Sequence, residues 1–147
     1  MAQRQQLIET SPDHVWAVLA DGRRYAEWVV GTKEILHADS HWPAVGARLR
    51  FRVGFGPATL EDTCVVRISE HMRRLELEAK ADPFGTARIA FTLIPWAAHT
   101  LVILDEHPLR GPGARLQGPA SELMLHLRNR RMLANLARHA TGERAPG

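Results

Sequence analysis

Arg48-Leu49-Arg50-Phe51-Arg52-Val53-Gly54-Phe55 alternates strictly, with Leu49, Phe51, Val53 and Phe55 on one side and Arg48, Arg50 and Arg52 on the other. A period of two sends successive side chains to opposite faces of a strand, so this stretch reads as a strand with one buried and one wet face. The same period extends in both directions. Upstream, Lys33, Ile35 and His37 alternate with Glu34, Leu36 and Ala38. Downstream, Leu60, Asp62, Cys64, Val66 and Ile68 share a face between Thr59 and Ser69, and Leu75 and Leu77 oppose Arg74, Glu76 and Glu78. Ile89, Phe91 and Leu93 then alternate with Arg88, Ala90 and Thr92, and a last strand runs from Thr100 to about His107. Turn-forming clusters separate the runs: Asp39-Ser40-His41-Trp42-Pro43, Gly54-Phe55-Gly56-Pro57, Glu70-His71-Met72 and Asp82-Pro83-Phe84-Gly85. Short, regularly spaced strands joined by short turns predict an antiparallel meander.

Helical periods bracket this run. Leu7 and Ile8 end a first strand, after which Ser11 is placed to cap a helix, Pro12 suits its first position and Asp13 suits its positive end. Val15, Val18 and Leu19 give that helix an inward stripe, and Arg23 to Val30 reads as a second short helical or turn segment. Arg110-Gly111-Pro112-Gly113 ends the sheet, and Pro119 to Ala140 reads as one helix of about 33 Å at 1.5 Å per residue. Its apolar residues fall into two sectors, Ala120, Leu123, Leu127 and Ala134 in one and Leu125, Met132, Leu133 and Leu136 in the other. The order predicts an α+β fold. A curved antiparallel sheet of about seven strands wraps a long C-terminal helix, with two short helices after strand 1. One domain is expected over residues 1–140, with a disordered tail at 141–147.

Composition narrows the function classes. A chain of 147 residues with 45% hydrophobic and 24% charged residues can bury a core without disulfides. The single Cys64 precludes an internal disulfide and a four-cysteine metal site, which suits a reducing cytoplasm. The first residues lack the apolar core of a signal peptide and no stretch is long enough for a membrane span, so a cytoplasmic protein without stable membrane insertion is expected. A net charge of +3 spread over 19 basic and 16 acidic residues forms no phosphate-tracking stripe, so nucleic acid is not an expected partner. The eight histidines include no His-Glu-x-x-His arrangement, and neither a metal nor another cofactor is expected.

Several segments carry a resemblance. Ile8-Glu9-Thr10-Ser11-Pro12, Val15-Trp16, Leu19-Ala20-Asp21, Tyr25-Ala26-Glu27-Trp28 and Leu104-Asp105-Glu106-His107-Pro108 are arranged along the chain as in the SRPBCC superfamily. These are the START-like, or Bet v 1-like, helix-grip proteins, and the chain resembles their bacterial polyketide cyclase/dehydrase-like branch. Asn129-Arg130-Arg131 through Leu136 also resembles the closing helix of bacterial members. The resemblance spans nearly the whole chain and implies the helix-grip fold. On function it leaves lipid carriers, hormone receptors, aromatase/cyclases and co-chaperones open. The glycine-rich loop of plant members is absent, so no phosphate-like role follows for Gly54-Phe55-Gly56.

The fold suggests a cavity between sheet and helix. Its expected ligand-binding residues are Tyr25, Trp28, Phe51, Val53, Phe55, Asp62, Leu77, Phe91, Leu93, Leu123, Leu127 and Arg130, and pockets of this type hold about 300–1,000 Å³. The alternative is a closed core filled by the same side chains. Asp62 lies among apolar positions, where a carboxylate needs a cation such as Arg130. Asp105 and His107 share a strand face, so the carboxylate can orient the imidazole. Asp62, His107 and Arg130 are therefore weak catalytic candidates, each with a plain structural alternative. Cys64 reads as inert core. The leading expectation is binding of a hydrophobic or aromatic molecule, such as a lipid, isoprenoid or polyketide-like compound, by a monomer or homodimer. A polyketide aromatase/cyclase or dehydratase, and a co-chaperone-like interaction module, are the alternatives.

Overall fold

The computed structural model describes residues 2–55, 57–81, 85–110 and 119–142. Seven strands form one antiparallel sheet: β1 (Ala2–Ile8), β2 (Thr32–Ala38), β3 (Arg48–Phe55), β4 (Ala58–Glu70), β5 (Arg74–Ala81), β6 (Gly85–Trp96) and β7 (His99–Arg110). Helix α1 (Pro12–Leu19) and a short 3₁₀ helix (Gly22–Glu27) follow β1, and α2 (Pro119–Ala140) closes the fold. Strand order is β1-β7-β6-β5-β4-β3-β2, so β2 to β7 form a meander and β1 returns to pair with β7. The α+β helix-grip architecture expected from the sequence is the one observed. The turn at 82–84, the end of the sheet at 111–118 and residues 143–147 of the expected tail lie outside the described residues.

Alternation explains which face is buried. Leu49 is fully buried and Phe51 half-buried on the inner face of β3, while Arg48 and Arg50 point outward. In β7, Thr100, Val102, Leu104 and Glu106 are buried and the intervening residues half-buried. One expectation fails within β4. Val66 pairs with inward Leu77 but Ile68 pairs with Glu76, because a bulge at Arg67 shifts the register. An extra residue reverses the faces beyond it, so Ile68 leaves the row of Cys64 and Val66. Between β3 and β4 the chain needs glycine at Gly54, where an added Cβ would stand 2.2 Å from the Ala58 carbonyl oxygen.

The helices are tied to this core by specific groups. Ser11 occupies the N-cap position of α1, but its hydroxyl donates to the Asp13 carboxylate instead of accepting from a backbone N–H. At the other end, the Leu19 carbonyl accepts from Tyr25 Oη at 2.6 Å and from Trp42 Nε1 at 3.2 Å. Those bonds satisfy one of the carbonyls a helix C-terminus leaves open. Among the described side chains of α2 the buried positions are Asn129, Met132, Leu133, Leu136 and Ala140. Of the two apolar sectors the second therefore faces the sheet, whereas Leu127 and Ala134 of the first are exposed. Asn135 Nδ2 donates to the Trp28 carbonyl at 3.2 Å, joining α2 to the segment after the 3₁₀ helix. Thr141 Oγ1 donates to the Ala137 carbonyl at 2.8 Å and Gly142 takes φ +77°, so both residues cap α2.

Candidate ligand-binding site

Between the sheet and α2 lies a cavity of about 60 Å³ with a wholly apolar surface. Tyr25, Trp28 and Val29 form one wall, Leu49, Phe51 and Cys64 a second, and Leu77, Ile89 and Phe91 a third. Met132 of α2 closes it. The rings meet edge to face at steep angles: Tyr25 and Trp28 centroids are 4.8 Å apart at 62°, and Trp28 and Phe91 5.8 Å apart at 70°. The volume is far below the range expected from the sequence. Phe51, Phe91 and Met132 converge on it from three different elements.

Five of the expected binding residues, Tyr25, Trp28, Phe51, Leu77 and Phe91, line this cavity. Leu93 is buried in the core, outside the cavity lining. Val53 is half-buried one inward position beyond Phe51, opposite Leu60, which is 50% exposed. Along this face Leu49 is buried, Phe51 and Val53 are half-buried and Leu60 is exposed. Asp62 is half-buried opposite Phe51 and two residues from Cys64. The side chains of Phe55 and Leu123 lie outside the described residues.

Two expected positions turn away. Leu127 is 55% exposed and Arg130 is exposed, because both lie off the stripe of Asn129, Met132 and Leu136 that faces the sheet. The arginine that α2 does bring to the inner layer is Arg128, whose guanidinium meets the buried carboxylate of Glu106. Glu106 is the cross-strand partner of cavity-lining Ile89, and Asn129, fully buried, stands one turn before Met132. Strand alternation puts Glu106 on the face of Val102 and Leu104, whereas the expected inward carboxylate was Asp62. That shared face was the usable signal; the choice of Arg128 over Arg130 depended on the rotation of α2.

Asp105 and His107 do form a contact, at 3.0 Å between Oδ2 and Nε2. They sit on the outer, convex face, because strand alternation sets them opposite to Leu104 and Glu106. There they join a ribbon across three strands, in which Arg88 reaches Glu76 at 3.1 Å and Asp105 at 3.7 Å, and Arg74 reaches Glu76 at 3.7 Å. The sheet separates His107 from the cavity, which removes the geometric basis for its catalytic candidacy there.

Burial governs the ionisable groups on the cavity wall. Cys64 is pushed up to about 12, chiefly by desolvation and further by the charge of Asp62, so its thiol is neutral at physiological pH. Burial likewise raises Tyr25 well above the ordinary phenol value. Among the described residues no group of three His, Cys, Asp or Glu side chains is arranged to hold a metal ion, and no helix is long and apolar enough to cross a membrane.

A seven-stranded sheet gripping one long helix, with an apolar space between them, defines a helix-grip protein. The chain belongs to the polyketide cyclase / dehydrase and lipid transport family, whose sequence profile matches residues 2–141. Among solved structures it is similar to protein MLL2253 from Mesorhizobium loti, at 18% identity and TM-score 0.70 over 97% of this chain and 98% of that one. DynU16, a protein of the dynemicin biosynthetic locus, matches at 21% identity and TM-score 0.68 over 95% of this chain and 46% of DynU16. The Bet v 1-like protein Ara h 8.0201 matches at 7% identity and TM-score 0.72 over 96% of this chain and 97% of that one. At these identities the likeness is one of fold. No curated protein matches the chain significantly.

Proposed function

We propose that the protein binds a hydrophobic, ring-bearing small molecule between the sheet and α2. The observation that carries this reading is the wholly apolar cavity, walled by Tyr25, Trp28, Phe51 and Phe91, at the centre of the fold. Membership of a family described by polyketide chemistry and lipid transport supports the same class of ligand. A dry cavity that admits benzene has about 150 Å³, so a cavity of 60 Å³ is too small for an aromatic ring as it stands. Ligand entry then requires side chains to withdraw, and the unbranched Met132 and half-buried Phe51 are suited to it.

Native mass spectrometry of the purified protein, with thermal melting against a library of aromatic and lipid compounds, tests this reading. Ligand at 100 times its Kd stabilises by about 2.7 kcal/mol, which raises Tm by roughly 5–10 °C in a domain of this size. A bound adduct or a shift of that order is the expected result. An empty protein indifferent to every compound would overturn it.

A second reading, an aromatase/cyclase or dehydratase, is favoured by one observation: the Glu106–Arg128 pair lies on the inner face, with Glu106 the cross-strand partner of cavity-lining Ile89. In that case the cavity orients a reactive chain while Glu106 moves the proton, so Glu106→Gln abolishes turnover of a polyketide-like substrate and leaves binding intact. Full turnover by that variant would exclude Glu106 as the base.

A further inference from the structure

Among the described residues, two neutral hydrogen-bond donors of the inner layer, Trp28 Nε1 and Asn129 Nδ2, are buried without a partner. Trp28 is 1% exposed and forms part of the cavity wall; Asn129 is 0% exposed and lies on the same face of α2 as Met132, one turn away. An unpaired buried donor costs about 1–3 kcal/mol, and native proteins keep few of them. The orientation of the Asn129 amide has an internal reason. Its Oδ1 accepts from Arg128 at 3.4 Å, and a guanidinium can only donate, so the amide nitrogen is the end left open. Arg128 is in turn held by Glu106, beside Ile89 of the cavity wall.

We propose that Asn129 Nδ2, behind the apolar lining and one turn along α2 from cavity-lining Met132, donates to a neutral carbonyl oxygen of an otherwise apolar ligand, with Trp28 Nε1 as a further donor. The inference rests on the cavity reading above and sets the ligand class within it. A ligand that displaces Met132 meets Asn129 next along the helix. A carboxylate is disfavoured at the same place, because it would approach the carboxylate of Glu106, whose guanidinium partner is already engaged. These neutral donors therefore select ketones, esters or enones over fatty-acid anions.

A matched series separates the two levels of the argument: 2-ethylnaphthalene, 2-acetylnaphthalene and 2-naphthoate, titrated against the full chain with tryptophan fluorescence as the readout. The acetyl compound is expected to bind about tenfold more tightly than the ethyl compound, and the carboxylate more weakly than either. In Asn129→Leu, which replaces the amide with an apolar group of similar size, the acetyl preference falls to about unity while the ethyl compound still binds. Equal affinity of the ethyl and acetyl compounds for the unsubstituted protein overturns the inference and leaves the cavity reading standing; so does a preference for the carboxylate. An acetyl preference that survives Asn129→Leu overturns the assignment to Asn129. Failure of every member of the series to bind counts against the cavity reading itself, and the inference falls with it.

Discussion

Single residues on the cavity wall show how environment decides chemistry. Cys64 is a potential nucleophile by composition, yet burial holds its thiol neutral up to about pH 12. Its unfolded counterpart ionises near the ordinary value of 9.0, so the unfolded state gains from the ionisation first. The contribution of Cys64 to stability is complete below pH 9 and declines as pH rises from there toward 12. Labelling by a disulfide reagent at pH 8 is accordingly expected to be slow in native protein and fast in urea; equal rates would show that the thiol is accessible. Tyr25 makes the complementary point, because its hydroxyl already donates to the Leu19 carbonyl. Tyr25→Phe removes one of the two donors to that carbonyl and is expected to cost about 1 kcal/mol in urea denaturation. Ligand affinity is expected to stay the same, since the ring that lines the cavity is kept. A large loss of affinity would instead assign the hydroxyl to the ligand.

At the scale of elements, the sheet has two faces with different tasks. The inner face supplies the apolar wall, and the outer face of β5, β6 and β7 carries the ribbon from Arg74 to His107. Glu76 is buried within that ribbon with two arginines around it. Removing a fully buried ionic partner costs about 3–5 kcal/mol, but Arg74 and Arg88 are each more than a third exposed or close to it, and water softens the loss. Glu76→Ala is therefore expected to destabilise by about 2 kcal/mol in urea denaturation without altering ligand affinity. A change in affinity would mean that the outer face is coupled to the cavity. The existence and order of these elements were legible in the sequence, because the period-two runs and the capped helices are local patterns. The bulge at Arg67 was not, since a one-residue register shift leaves the hydrophobic pattern of β4 intact while moving Ile68 to the other face.

For the whole molecule, the decisive quantity is how much space the converging layers leave. Met132 closes the cavity from α2, so Met132→Ala enlarges it at a cost of about 2–5 kcal/mol in stability. Affinity for small aromatic probes is expected to rise, measured by the same fluorescence titration; unchanged affinity would place their site elsewhere. The sequence by itself determined the α+β architecture, the sheet faces and most of the aromatic wall, because strand and helix periods are written in residues close together in the chain. Only the tertiary structure decided that α2 presents Asn129, Met132 and Leu136 to the sheet instead of Leu127 and Arg130. It also decided that Arg128 meets Glu106 and that the cavity shrinks to about 60 Å³. Those outcomes depend on the rotation of one helix against seven strands, and both apolar sectors of α2 satisfy the local pattern equally well. Close packing across distant residues makes the choice between them.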